Sequence, residues 1–322
     1  MTASGKFLQM GLAILLFVAV VGLVLFVASR FSGRKADRGV AAAFLAPTVL
    51  ALLVGLIYPG LRTVYQSFFD AAGSSFIALG NYQTIFTDSE QLLVLRNTVL
   101  WVVLTPFLAT AIGLLYAILV DRSRFESAAK ALIFLPMAIS FVGASIIWKF
   151  VYEFRPEQRN VRQIGLLNQI VVWLGGSPHQ WLIDSPFNTL FLIVILIWIQ
   201  AGFAMTVLSA AIKAIPDDIV EAARLDGVKA IGMFRYVTLP SIRPAVVVVL
   251  TTIGIATLKV FDIVRTVTGA QFGTNVIANE FYSQSFRANN QGLGSALAVL
   301  LFLLVMPIVV YNIRQLRASE AR

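Results

Sequence analysis

Residues 7–29 form an apolar block, and six more of similar length follow at 40–62, 95–120, 131–152, 187–212, 243–264 and 292–313. About 20 apolar residues in a helix cross the hydrocarbon core of a bilayer. Inside lipid each backbone N–H and C=O needs an internal partner, so blocks of this length fold as helices. A β-barrel would present segments of about ten residues with alternating polarity, and no such series occurs in the sequence. The composition agrees: 58% of residues are apolar and 13% charged, where soluble domains carry about 25% charged residues. The fold class is therefore all-α, a polytopic membrane helical bundle of seven spans.

The net charge of +9 does not point to nucleic acid, because the basic residues fall between the apolar blocks and build no single stripe. That distribution orients a chain in a membrane, whose lipid is then its surroundings. The short segments 30–39, 121–130, 213–243 and 314–322 hold fifteen of the 25 Lys and Arg. The other ten are spread over the longer connections on the opposite side. The bias places the N-terminus outside and the C-terminus in the cytoplasm of a bacterial cell membrane. Substantial outer loops are then expected near 66–94, 155–186 and 265–291. The first block is longer than the 7–15-residue core of a signal peptide, and it ends in Arg30, Arg34, Lys35 and Arg38. It is expected to be a retained extra helix, which divides the chain into 1–39 and 40–322.

With no cysteine in the chain, a disulfide framework and a thiolate metal site are excluded. His179 is the single histidine and lies in a polar loop, so no bound metal is expected. No Gly-x-x-x-x-Gly-Lys-Ser/Thr phosphate loop occurs, so the chain supplies no ATP site of that kind. An integral-membrane enzyme would show His, Asp or Cys clusters, which argues against that class. A self-sufficient secondary transporter or channel is the alternative. It would need an ion-coupling group within the spans, and Lys259 with Asp262 is the pair on offer.

The longest inside segment runs from Lys213 to Pro244. Pro216 suits a first helical turn, where a missing N–H costs nothing. Asp217 and Asp218 place negative charge at the positive end of the helix dipole, and Gly227 supplies the left-handed residue that ends many helices. Ile219, Val220, Ala222 and Ala223 give the expected helix a small apolar side. A second short helix is expected at 229–236, stopped and redirected by Leu239-Pro240 and Pro244. On this evidence the segment is a helix–turn–helix, either a solvated connection or a surface for a partner.

The run Glu221-Ala222-Ala223, then Gly227 after three residues, then Leu239-Pro240 resembles the EAA loop of binding-protein-dependent ABC importer permeases. With Asp226, Phe234 and Pro244 it is similar to the sugar-importing branch, and to α-glucoside permeases related to the maltose transporter. The likeness extends from about Phe44 onward and takes in Phe134-Leu135-Pro136, Trp181-Leu182-Ile183-Asp184, Lys259-Val260-Phe261-Asp262 and Gly294–Val299. The resemblance implies a six-span permease core that leaves the N-terminal helix outside it. It also implies a second homologous permease, a cytoplasmic ABC ATPase dimer holding ATP and Mg, and an extracytoplasmic sugar-binding protein. The substrate would be a sugar of the α-glucoside type, a disaccharide or oligosaccharide such as maltose or trehalose. On that pattern Glu221 pairs with a basic group of the ATPase, Ala222 and Ala223 allow close seating, and Gly227 forms the turn. Asp226, Leu239 and Pro240 complete the motif. The competing reading of Glu221 is an i,i+3 pair with Arg224 on its own helix.

Polar residues inside spans are functional candidates, because burying them unpaired is costly. Gln200, Thr257, Lys259 and Asp262 are the candidates for a sugar path, with Phe141, Trp198 and Phe203 as aromatic faces for a sugar ring. For Lys259 and Asp262, three apart on one expected helix, the competing reading is a self-neutralising pair. For the aromatics it is packing between helices.

Overall fold

In this computed structural model, residues 3–30, 36–121, 123–156 and 164–320 are described. Arg34, Lys35, Arg122, Arg159, Arg162 and Arg322, all used in the charge bias above, lie outside them. The chain divides into two compact units, Met1–Tyr65 and Gln66–Arg322.

The first unit holds α1 (Ala3–Ala28) and α2 (Ala36–Leu52), the latter continued through a wider π-helical stretch, Leu53–Ile57, into α3 (Tyr58–Gln66). Residues Gln9–Ala28 and Asp37–Gln66 are long and apolar enough to span a membrane. The π turns directly precede Pro59. A proline offers no N–H, and its ring meets the carbonyl four residues back. A wider turn at that place lets the helix continue.

The second unit begins with α4 (Gly80–Thr87) and α5 (Ser89–Val120). The Asp88 carboxylate accepts hydrogen bonds from the backbone N–H of Glu90 at 2.9 Å and of Gln91 at 3.1 Å. This cap starts the helix six residues before the apolar block, a feature the apolar pattern does not register. Then come α6 (Glu126–Phe134), a 3₁₀ turn at Leu135–Ala138, α7 (Phe141–Val151), α8 (Leu166–Trp173) and α9 (Asn188–Lys213). The expected continuous fourth span at 131–152 is corrected here. Its two parts, Glu126–Ala138 and Phe141–Val151, are bent by 104°. Pro136 sits in the 3₁₀ turn, and the Ser140 hydroxyl caps α7 by accepting from Gly143 N–H at 3.1 Å. A break with its own cap starts a new helix in a new direction.

After α9 the chain forms α10 (Asp217–Leu225), α11 (Ala230–Gly232), a second π-helical stretch at Met233–Thr238, and α12 (Leu239–Leu258). Leu239-Pro240 does not stop a helix as expected: Ala230–Leu258 runs on as one membrane-length helix. Again the π turns precede a proline, as they do at Pro59. The sixth span also ends earlier than the expected 264. The last turn tightens, with Lys259 N–H on the Ala256 carbonyl at 3.2 Å and Val260 N–H on the Thr257 carbonyl at 3.0 Å. A new helix, α13, begins at Asp262 (Asp262–Val267). The chain closes with α14 (Ile277–Phe286) and α15 (Gln291–Glu320). Six helices of the described residues pass as spans by length and composition, and the bent pair, counted as one span, would be a seventh.

The core lies where α5, α9 and α12 meet. Trp101, Leu192, Ile195, Leu196, Ile199, Met205, Leu208 and Ile253 are all buried there. Gly113 sets the spacing of α5 and α9. A Cβ on it would lie 2.5 Å from Ala204 Cβ and 2.7 Å from Met205 N, so the two backbones approach as small residues permit in membrane bundles. A second cluster, Ile85, Val94, Ile277, Leu293, Ala296 and Leu297, holds α4, α14 and α15 to the start of α5.

Candidate functional site

The helix α10 forms where expected, but Pro216 is not in its first turn. Pro216 stands at its N-cap, one place before the first helical residue, and Asp217 and Asp218 occupy the first turn. Gly227 has φ +77°, and Asp226 N–H bonds to the Ala222 carbonyl at 3.0 Å, Gly227 N–H to Arg224 at 3.0 Å and Val228 N–H to Ala223 at 3.0 Å. The last carbonyls of the helix are thereby satisfied, as a left-handed glycine after a helix allows.

The expected apolar side is split by the fold. Val220 and Ala223 are half-buried, while Ile219 and Ala222 are exposed. Asp217, Val220 and Arg224 line a half-open cavity of about 470 Å³, whose other walls include Asp121 and Ile118 at the α5 end, Lys213, Met233 and Phe234. Asp218, Glu221, Ala222 and Leu225 are all exposed, with Leu225 83% accessible, and Glu221 and Leu225 flank a shallow groove that Asp217, Val220 and Arg224 also line. Among the described residues no ion pair joins Glu221 to Arg224. The self-pairing alternative for Glu221 is therefore not formed, and its carboxylate stands on an open surface beside a small residue and a large apolar one. Leu239 and Pro240 are exposed at the foot of α12, and Asp226 is exposed at the end of α10.

A polar cluster that the sequence analysis did not single out lies beside this loop. The Lys130 ammonium contacts Asp121, Glu126 (2.9 Å) and the Ser209 hydroxyl. Ser209 in turn donates to Asp121 at 2.7 Å, and Lys213 pairs with Glu126 and lies 3.9 Å from Asp121. The sequence carried a faint signal, the i,i+4 spacing of Glu126 and Lys130. The contacts to Ser209 and Lys213, some eighty residues away, had none.

The intramembrane candidates fare unevenly. Lys259 and Asp262 do not share a helix, because α12 ends at Leu258 and α13 starts at Asp262. Among the described residues they form no ion pair either. Thr257 is buried, and its hydroxyl donates to the Ile253 carbonyl of its own helix at 2.7 Å. Trp198 packs edge-on against Trp148 at 5.7 Å, and both Trp198 and Phe203 lie against the main core. Phe141 is exposed at the first position of α7, and Gln200 is half-buried on α9.

At the end of the unit opposite α10, a second network also went unnoticed in the sequence. Glu280, 8% exposed, accepts from Gln91 at 3.1 Å, Gln284 at 2.7 Å and Asn275 at 2.6 Å. Asn97 donates to the Gly273 carbonyl at 2.6 Å and the Asn275 carbonyl at 3.0 Å. These bonds satisfy a carboxylate and irregular backbone that burial would otherwise penalise, and they fix the 273–280 segment to α5.

A bundle of membrane-length helices, one of them broken, with an exposed short helix between two spans, is the architecture of a multi-span membrane protein. The chain belongs to the family described as binding-protein-dependent transport system inner membrane component, which matches residues 94–318. It is 49% identical to the osmoprotective compounds uptake permease protein GgtC of Synechocystis sp., over 86% of this chain and 99% of that one. It is 46% identical to the alpha-glucoside transport system permease protein AglF of Rhizobium meliloti, over 84% of this chain and 80% of that one. The fold matches the crystal structure of a bacterial ABC transporter that imports the acidic polysaccharide alginate. There the TM-score is 0.74 at 21% identity, covering 88% of this chain and 97% of that one. The chain is thus a transport component and not an enzyme.

Proposed function

We propose that this chain is one of two homologous permease subunits of an ATP-driven sugar importer, with α-glucosides of disaccharide or oligosaccharide size as substrate. A soluble extracytoplasmic protein delivers the sugar. A cytoplasmic ABC ATPase dimer, which alone binds ATP and Mg, grips the permease through α10. In this reading the end bearing α10 and the C-terminus face the cytoplasm, the N-terminus lies outside, and residues 1–39 add a helix to the core at 40–322. Support for the sugar comes from the alpha-glucoside permease at 46% identity and a trehalose/maltose permease protein of Thermococcus litoralis at 28%.

The observation that carries the coupling role is the exposed surface of α10, with Glu221 beside Ala222 and Leu225 and, among the described residues, in no ion pair with its own helix. A carboxylate presented next to a small side chain suits a basic group on a partner that approaches closely. Gln200 and the Phe141 ring line the sugar path, where an amide both donates to and accepts from hydroxyls.

The test is uptake of labelled maltose and trehalose by cells carrying Glu221→Lys in place of the native chain. Uptake is expected to fall at least tenfold while the chain remains in the membrane, and ATPase co-purifying with it is expected to drop. Normal uptake with full ATPase recovery defeats the coupling role. Failure of the native cells to take up either sugar defeats the substrate assignment.

A further inference from the structure

The polar cluster beside α10 is one end of a longer contact. Along α6, Glu126 meets Lys213, Lys130 meets Ser209, and Ile133 and Phe134 meet Gly202. A Cβ on Gly202 would fall 2.5 Å from the Ile133 carbonyl oxygen and 3.0 Å from Phe134 Cα. Positions rise along α6 as they fall along α9, so the two helices lie antiparallel in one register. The rungs on α9 at 202, 209 and 213 share a helical face, as do 126, 130 and 133–134 on α6. Beyond the last rung the chain reaches the 104° break before α7. After Lys213, the last residue of α9, only Ala214, Ile215 and Pro216 intervene before α10.

Ion pairs of this partly exposed kind contribute little to stability on their own. What they do supply here is direction. Asp121 at the end of α5 and Glu126 at the start of α6 hold two ammonium groups, one from α6 and one from the last turn of α9. These contacts, together with the close packing at Gly202, tie the end of α9 to α6.

We propose that Glu126, Lys130 and Lys213 are positioning residues for transport. They clamp α6 to the inner half of α9, so that a displacement of α10 carries both helices as one body and is taken up at the Ile139–Ser140 break. The proposal rests on the coupling role of α10 given above.

The chain has no cysteine, which allows a direct test in the assembled transporter reconstituted in liposomes. Glu126→Cys and Lys213→Cys, combined with Lys130→Met, remove both the Glu126–Lys213 pair and the Lys130 link to Ser209. We expect sugar transport to fall at least tenfold while ATP hydrolysis stays within twofold of native, an uncoupling that a loss of folding does not produce. Joining the two thiols with a short, reductant-cleavable cross-linker is expected to restore transport to within threefold of native, and cleavage to abolish it again. Native transport before cross-linking overturns the proposal, as does transport that the cross-link fails to restore or arrests. A native assembly that shows no ATP-dependent transport would instead sink the coupling reading itself, so the two failures are separable.

Discussion

Gly227 is where a single residue decides the shape of the loop. Its φ of +77° lies in the left-handed region, and no atom stands within 4 Å of a Cβ added there. The requirement is one of backbone sign alone, not of space. Replacing it with Ala disfavours the turn by about 1 kcal/mol, and Asn, which tolerates that region, by less. Gly227→Ala is therefore expected to raise tryptic cleavage after Arg224 and Lys229 about fivefold through local opening, with Gly227→Asn in between. Equal cleavage of all three proteins would show that the turn is not held this way. The glycine was legible in the sequence because a left-handed stop follows a helix so regularly. Lys259 and Asp262 show the opposite case. Their spacing suggested one face of one helix, but the last turn of α12 tightens at Lys259, and nothing in the residue types announces that.

Between elements, the close approach of α6 to α9 rests on Gly202. The atoms opposite it, the Ile133 carbonyl and Phe134 Cα, belong to backbone and cannot swing away as a side chain would. Gly202→Val is expected to push α6 outward and reduce sugar uptake more than tenfold. Gly254→Ala meets only side-chain atoms at 3.8 Å and should leave uptake within twofold. Comparable uptake by both variants would mean that α6 and α9 do not need this contact. The helices themselves were readable as apolar blocks, since block length sets a span. The break before α7 was not, because Pro136 alone does not say whether a helix kinks, passes on or ends. Pro240 proves the point: its helix runs on through π-helical turns, while the helix at Pro136 turns by 104°.

For the whole molecule, the excess of Lys and Arg on one side predicts an orientation that labelling can test. Single cysteines introduced into this cysteine-free chain give a clean readout. Ser74→Cys, between α3 and α4, is expected to react with a membrane-impermeant maleimide in intact cells. Ala214→Cys, between α9 and α10, should react only after the membrane is opened. The reverse pattern inverts the assignment and removes α10 from the reach of a cytoplasmic ATPase.

The sequence by itself determined the class of fold, the number of spans within one broken pair, and the capped helix α10. Each of these depends on local physics: the length of an apolar run, the charge beside a helix end, the sign of one φ. Only the tertiary structure decided which side of α10 is covered, with Val220 and Ala223 half-buried and Glu221, Ala222 and Leu225 exposed. It alone joined Glu126 to Lys213 and Gln91 to Glu280. Contacts between residues 87 and 189 positions apart leave no local trace, because they form only when packed helices bring together polar groups that burial leaves no other way to satisfy.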